Sequence, residues 1–282
     1  MKKIMVTGCN GQLGRAINEE VKGQQDVVVI NTDVQELDIT KLEEVIAYVE
    51  REQPTHIMNC AAHTAVDACE TQEDSAYRIN AIGPRNLSIA ANLVGATMVH
   101  VSTDYVFSGD DGKQYREYDQ VNPQGVYGRT KLAGELFVKE FAERYFILRT
   151  AWLYGEGKNF VKTMLRLGET NDKVRVVGDQ YGTPTSAKEL AKAMVALTNT
   201  REYGTYHATC EGECSWADFA KEIFRLGNLN VTVEAITTEE YNAPTKRPAY
   251  SVLDNYMFRL NTDIRFASWQ DALVEYMSNP SL

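Results

Sequence analysis

The sequence predicts an α/β fold: a doubly wound parallel sheet with a smaller, interwoven C-terminal lobe. Three observations carry that reading. Short β-branched runs alternate with helical stretches from residue 1 to about residue 150. Those runs are apolar throughout, the pattern of parallel strands buried on both faces. A glycine-rich turn, Gly8-Cys9-Asn10-Gly11-Gln12-Leu13-Gly14, joins the first run to the first helical stretch. A chain of 282 residues is long enough for such a unit to bury a substantial core.

Along the chain, residues 4–7 read as a strand, 11–21 as a helix and 27–31, almost pure Val and Ile, as a second strand. Residues 41–51 place Leu42, Val45, Ile46 and Val49 on one helical face. A third strand at 56–60 follows Pro54, and a long helix at 75–94 is expected to kink at Pro84. The fourth strand (97–102), a helix (126–141) and the fifth strand (145–149) complete the alternation. Beyond about Ala151 the pattern loosens into helices at 160–168, 187–197, 216–227 and 269–277 and a short strand at 174–177, with Pro184, Pro244 and Pro248 in long loops. This places a dinucleotide-binding Rossmann domain at 1–152, with returning segments at about 174–210. A smaller substrate lobe takes about 153–173 and 211–282.

The formal net charge of −10 leaves no basic footprint for nucleic acid and opposes anionic membranes. No run of about 18 apolar residues predicts a membrane span. The five cysteines are odd in number and form no CxxC pair, which fits free or buried thiols in a reducing compartment. The N-terminus enters a strand at once, with no apolar leader. The expectation is a cytoplasmic protein.

The glycine turn carries the first chemistry. Glycines there permit a tight turn and close approach of backbone to a pyrophosphate, and the following helix offers free N–H groups. Gly8, Asn10, Gly11, Gln12, Leu13 and Gly14 are therefore candidate cofactor residues. Asp33 lies 19 residues after Gly14 at the end of the second strand, where a carboxylate accepts from ribose hydroxyls. It should repel a 2′-phosphate, which leans toward NADH without excluding NADPH. Asp38 either reaches the adenine edge or N-caps the helix at 41, a role for which Thr40 competes. The third strand ends in small residues and His63-Thr64, a lining sequence with no metal-ligand spacing.

Tyr127-Gly128-Arg129-Thr130-Lys131 puts a phenol and an ammonium on one helix face, four residues apart. A neighbouring ammonium and an oxidised, cationic nicotinamide are both expected to stabilise the phenolate and lower its pKa. Ser102-Thr103-Asp104-Tyr105 ends the fourth strand with a hydroxyl that can meet the same carbonyl.

With these motifs in this order, the chain resembles the extended short-chain dehydrogenase/reductase superfamily over essentially its whole length. Within it, the chain is similar to the dTDP-4-dehydrorhamnose reductase family. The matching stretches are GCNGQLG (8–14), ELDIT (36–40), NCAAHTAVDACE (59–70), VSTDYVF (101–107), YGRTKLAGE (127–135), LRTAWLYG (148–155), VVGDQYGTPT (176–185) and KRPAYSVLD (246–254). The resemblance implies that Tyr127 donates a proton to the C4 carbonyl oxygen of a dTDP-4-keto-6-deoxy sugar. It implies that Lys131 tunes Tyr127 and binds the nicotinamide ribose, and that Thr103 hydrogen-bonds near the carbonyl. Asp104 and Trp152 would contact the sugar. Asp38, Ile39, Ala61, Ala62, His63 and Thr64 would line NADPH or NADH together with the glycine loop. The implied reaction is reduction of dTDP-4-dehydro-β-L-rhamnose to dTDP-β-L-rhamnose. Arg247, beside Lys246, is the candidate cation for the diphosphate. Some family members dimerise through a metal held by acidic residues just after the glycine loop. Here that stretch is Arg15-Ala16-Ile17, which argues against Mg²⁺ and leaves a monomer or weak homodimer. Two other readings stay open on sequence: an epimerase or another 4-keto sugar reductase, and a non-catalytic cofactor-binding regulatory subunit.

Overall fold

A computed structural model describes residues 1–278 of the chain. In chain order the first half runs β1 (Lys2–Thr7), α1 (Gln12–Glu20), β2 (Val27–Thr32), α2 (Leu42–Glu52), β3 (His56–Asn59), α3 (Val66–Cys69), α4 (Glu73–Tyr77), α5 (Gly83–Leu93), β4 (Thr97–Thr103), α6 (Val126–Phe141) and β5 (Tyr145–Thr150). There follow β6 (Leu153–Tyr154), α7 (Phe160–Gly168), β7 (Lys173–Val177), β8 (Tyr181–Gly182), β9 (Thr185–Ser186), α8 (Ala187–Leu197), β10 (Gly204–His207), β11 (Cys214–Ser215), α9 (Trp216–Leu226), β12 (Thr232–Ile236), α10 (Thr238–Tyr241), α11 (Tyr256–Asn261) and α12 (Trp269–Met277).

Six strands form one sheet in the order β2-β1-β3-β4-β5-β10, and every pairing is parallel. The chain steps from β1 outward to β2, then crosses to β3 on the other side of β1. Ligand crevices of doubly wound sheets open at such a switch point, outside the carboxyl ends of the strands. The register aligns these ends in two steps: Thr7 pairs with Asn59, which lies opposite His100, and β4 and β5 run on three residues further to the Thr103–Thr150 pair.

Alternation along the strands builds two cores. Val6, Met58 and Leu148 face α1 and α8, where Ile17, Leu190 and Met194 meet them. Met5, Ile57 and Ile147 face the opposite side, against Val45, Val49, Leu87 and Val138. A third cluster, including Val161, Phe219, Ile223 and Leu273, holds α7, α9 and α12 together beside the two-stranded β7–β12 sheet. No described helix is long and apolar enough to cross a membrane.

The predicted strands and helices of the first half all form, with ends shifted by a residue or two. Pro84 differs from expectation in detail. It is the second residue of α5, and the preceding segment Arg78–Ile82 is a π turn. Proline lacks an N–H and crowds the carbonyl four residues back, here Asn80, and the wider turn absorbs that conflict. α2 also starts differently: its N-cap is Lys41, with no side-chain cap. Asp38 accepts from the Thr40 N–H (3.0 Å) and hydroxyl (2.7 Å) one turn earlier, so neither serves as the cap. β10 was not foreseen, because Gly-Thr-Tyr-His is too short and too mixed to read as a buried strand.

The seat of α6 matters most for the site. A Cβ on Gly128 would lie 2.2 Å from the Tyr105 carbonyl oxygen, so the first turn of α6 touches the backbone after β4 as only glycine allows. Gly128→Ala is therefore expected to destabilise the chain by about 1–3 kcal/mol. Helix propensity alone would favour alanine by roughly 0.5–1 kcal/mol. Urea unfolding gives the sign, and a stabilised variant would contradict this packing.

Candidate active site

Gly8 follows β1 with φ +65°, and a Cβ there would stand 2.8 Å from the Ala61 nitrogen. This lets the loops after β1 and β3 run side by side. Gly11 is the N-cap of α1 and brings no side-chain cap, so the first amides of α1 remain free donors aimed at the crevice. Asp33 braces the loop: its carboxylate accepts from the N–H groups of Asn10 (3.2 Å) and Val34 (2.9 Å).

The β3 end is held by a polar chain. Asn59 accepts from the Thr7 hydroxyl (2.7 Å) and the Ala61 N–H (3.2 Å), and its amide meets His100 Nδ1 at 3.1 Å. Burial holds the His100 imidazole well below its usual range, hence neutral. Asn80, in the π turn, clamps His63: its Oδ1 accepts from the His63 N–H (2.8 Å) and its Nδ2 donates to the His63 carbonyl (3.1 Å). The same amide donates to Thr130 on α6 (3.1 Å). Its place in the sequence carried no motif that would have singled it out.

β4 ends in Thr103, whose hydroxyl donates to Asp104 Oδ1 (2.9 Å) and accepts from the Tyr105 N–H (3.2 Å). α6 begins beside this turn, and Glu70 Oε1 accepts from the Val126 N–H (2.8 Å) at its first turn. The Lys131 ammonium, 3% exposed, donates to the Val101 carbonyl at 2.6 Å. Burial lowers its pKa to about 8, against the opposing pull of Glu135 and Cys60. Tyr127 packs edge-on to Tyr105, ring centroids 5.4 Å apart.

Here sequence expectation and structure differ. Burial pushes the Tyr127 phenol above its ordinary value, assisted by Asp104 and opposed by the Thr103 hydroxyl. In the free chain burial dominates the phenol, whereas the lowered pKa expected from the sequence counted a cationic nicotinamide together with the ammonium. A buried phenol that keeps its proton is suited to donating it rather than to acting as a base.

Trp152 follows β5 in the left-handed region, φ +48°, a conformation rare for a bulky residue. It is held there by stacking: Trp216 lies 3.5 Å away, nearly parallel at 10°, and Gly182 packs against the indole as well. Trp216 is a wall residue that sequence reading did not identify. Arg247 donates to Asp67 Oδ2 (3.0 Å) at the 245–249 loop, so part of its charge is already answered.

These elements enclose a cavity of about 530 Å³. Its wall includes Gly8, Gly11, Gln12, Leu13 and Gly14 on one side and Ala61, Ala62 and Thr64 on another. Thr103, Asp104, Tyr127, Lys131, Trp152 and Trp216 also line it, with Val101 and Ser102 of β4 among the remainder. Asn10, Asp33, Asp38, Ile39, His63 and Arg247 stand outside this wall. A cavity of about 570 Å³ lies beyond Gln12, lined by Arg15, Glu156, Lys162 and Tyr276 among others. It holds none of the hydroxyl, phenol and amine groups just described, so the chemistry belongs to the other. The free α1 amides, the glycine loop and the small residues after β3 fit a dinucleotide. No group of three or more His, Cys, Asp or Glu side chains suited to a metal occurs among the described residues.

A Rossmann sheet with a strand-end hydroxyl and a YxxxK helix at one cavity defines an extended short-chain dehydrogenase/reductase. The family model described as RmlD substrate binding domain matches residues 1–281, and the chain belongs to that family. It is 40% identical to spore coat polysaccharide biosynthesis protein SpsK of Bacillus subtilis, over 100% of this chain and 99% of the relative. A dTDP-4-dehydrorhamnose reductase structure from Clostridium acetobutylicum is 54% identical, with TM-score 0.97 over 99% of this chain and 100% of that one. A dTDP-4-dehydrorhamnose reductase of Bacillus anthracis, in complex with NADP, is 45% identical, with TM-score 0.95 over 98% and 99%.

Asp104 yields a pH prediction. Burial pushes its carboxyl up to about 6, with the Ser251 and Thr103 hydroxyls pulling the other way. The native chain then binds more protons than the unfolded one between about pH 4 and 6, so this residue's contribution to stability falls as pH rises through that window. Asp104→Asn removes the penalty and should be more stable than the parent by about 2–3 kcal/mol near pH 7.5, the gap closing near pH 4. Urea unfolding at both pH values checks this; a gap independent of pH would contradict it.

Proposed function

We propose that the chain is an NAD(P)H-dependent reductase that converts the 4-keto group of dTDP-4-dehydro-β-L-rhamnose to the alcohol of dTDP-β-L-rhamnose, a step in making cell-surface polysaccharide. The observation that carries this reading is the convergence of Thr103, Tyr127 and Lys131 on the cavity walled by the glycine loop. The relatives named dTDP-4-dehydrorhamnose reductase support the substrate. Structures of UDP-sugar epimerases share the fold at 16–17% identity, which supports no epimerase activity here.

The glycine loop and the segment Ala61 to Thr64 would hold a reduced nicotinamide dinucleotide, which would supply the hydride for C4. Tyr127 gives its phenolic proton to the carbonyl oxygen as negative charge develops there, and solvent reprotonates it. Atoms balance: the ketone gains a hydride and a proton, and the cofactor leaves oxidised. Lys131, fixed by the Val101 carbonyl, would present its positive charge to the nicotinamide ribose. Thr103 holds the carbonyl in line, while Asp104 and Trp152 orient the sugar. Arg247 meets the diphosphate from the loop at the mouth. The glycine-loop residues Gly8 to Gly14 and the segment Ala61 to Thr64 bind the dinucleotide, with Asp33, Asp38 and Ile39 on its adenosine side.

The large lobe, residues 1–152 with α8 and β10, is our reading of the cofactor half. Residues 153–173 and 211–278 are then the sugar half, joined by β7, which was expected among the returning segments of the large lobe but pairs with β12 instead. We read the protein as cytoplasmic and as a monomer or weak homodimer, and its net charge of −10 supports no nucleic-acid partner.

Mixing the chain with NADPH and the enzymatically made 4-keto sugar nucleotide, and following nicotinamide absorbance, tests the activity. Tyr127→Phe is expected to lose roughly 10²–10⁴-fold in kcat with cofactor affinity retained. A fully active variant would remove Tyr127 from the reaction. Asp33→Ala, which removes the carboxylate facing a 2′-phosphate, should raise the ratio of NADPH to NADH affinity by roughly tenfold, about 1.4 kcal/mol. Fluorescence titration of each cofactor measures it, and an unchanged ratio would place Asp33 outside the ribose site.

A further inference from the structure

Glu135 sits on α6 one turn beyond Lys131 and two beyond Tyr127, on the same face. It is completely buried, and both its oxygens are engaged. Oε1 accepts from the Ser102 hydroxyl (2.6 Å) and Arg149 Nε (2.9 Å), and Oε2 from Arg149 Nη2 (2.7 Å). Ser102 is the β4 residue between Val101, whose carbonyl receives Lys131, and Thr103. Arg149 lies opposite Ser102 on β5, two residues before Ala151 and the Trp152 turn.

Two consecutive residues of β4 are thus tied to one face of α6, a carbonyl to the ammonium and a hydroxyl to the carboxylate, and the next, Thr103, lines the cavity with Tyr127. We propose that Glu135 is a positioning residue for the reduction, locking α6 in register with β4 and β5 and supplying the buried negative charge that keeps the Lys131 ammonium charged. The proposal rests on the reductase reading above but concerns a residue that touches neither sugar nor cofactor.

The surroundings make the electrostatic half specific. Facing Lys131 are Tyr127 and Glu135 from α6, Cys60 from the β3 end, and His100 from β4. Behind Glu135 lie Arg149 from β5 and Lys139, 4.0 Å away on α6. His100 is neutral, and the half-buried Cys60 stays a thiol, desolvation pushing its pKa up to about 12. Glu135 is therefore the carboxylate that favours the ammonium against desolvation. With a Lys131 pKa of about 8, ammonium-dependent steps decline as pH rises past that value, and losing the carboxylate moves the decline to lower pH.

The test uses the full chain and two readouts: NADPH binding by fluorescence against pH, without sugar, and steady-state reduction against pH. Glu135→Gln should shift the alkaline midpoint of both curves downward by about half a pH unit or more. It should also lower kcat roughly tenfold, with the KM for the keto sugar little changed. Because this variant strands Arg149, the charge-free pair Glu135→Gln with Arg149→Met is measured beside it and should show a smaller shift in the same direction. Ser102→Ala should lower kcat but leave the midpoint in place. A folded Glu135→Gln or double variant with the parent's midpoints would overturn the proposal. A parent that binds NADPH but reduces no keto sugar would instead overturn the reductase reading, and the binding curves would still decide the role of Glu135.

Discussion

The Lys131 ammonium bonded to the Val101 carbonyl at 2.6 Å is the contact on which the arrangement turns. It fastens the middle of α6 to the end of β4. Gly128 lets the first turn of the same helix lie against the Tyr105 backbone, and Glu70 receives the N–H at its start. With α6 fixed at those points, Tyr127 has one place to go, beside Thr103 and across from the glycine loop. The sheet register finishes the work by bringing Thr7, Asn59, Thr103 and Thr150 to the same edge.

The site is built by withholding charge as much as by placing it. Burial raises the Tyr127 phenol and the Asp104 carboxyl, lowers Lys131, and keeps His100 neutral. The ammonium retains its proton because a carbonyl and a buried carboxylate answer it. In such a low-dielectric pocket, a developing negative charge on a carbonyl oxygen finds few competitors for the phenolic proton. Pushing acid and base pKa values in chosen directions by environment is how one fold performs proton transfer near neutrality.

The strand–helix alternation was legible because each central strand carries a short run of Val, Ile, Leu, Met or Phe, and because Gly8 to Gly14 and Tyr127 to Lys131 are local motifs. What escaped was nonlocal. Asn80 clamps His63 from a π turn that no pattern announces, and Trp216 reaches Trp152 from a distant segment. Helix spacing shows that Tyr127 and Lys131 share a face but not how deeply the phenol is buried, and burial is what raises its pKa in the free chain. Arg247 was legible as a cation, while its pairing with Asp67 was not. Glu135 was visible within YGRTKLAGE, four residues past Lys131, yet only its contacts with Ser102 and Arg149 reveal what it does.

The central claim is direct transfer to the sugar carbon inside this cavity, and isotope tracing addresses it most directly. Reduction with NADPH deuterated at the transferring C4 position, followed by NMR of the purified sugar nucleotide, should place the label at C4 of a rhamnose product. Label absent from C4, or solvent deuterium entering C3 or C5 without net cofactor oxidation, would contradict it.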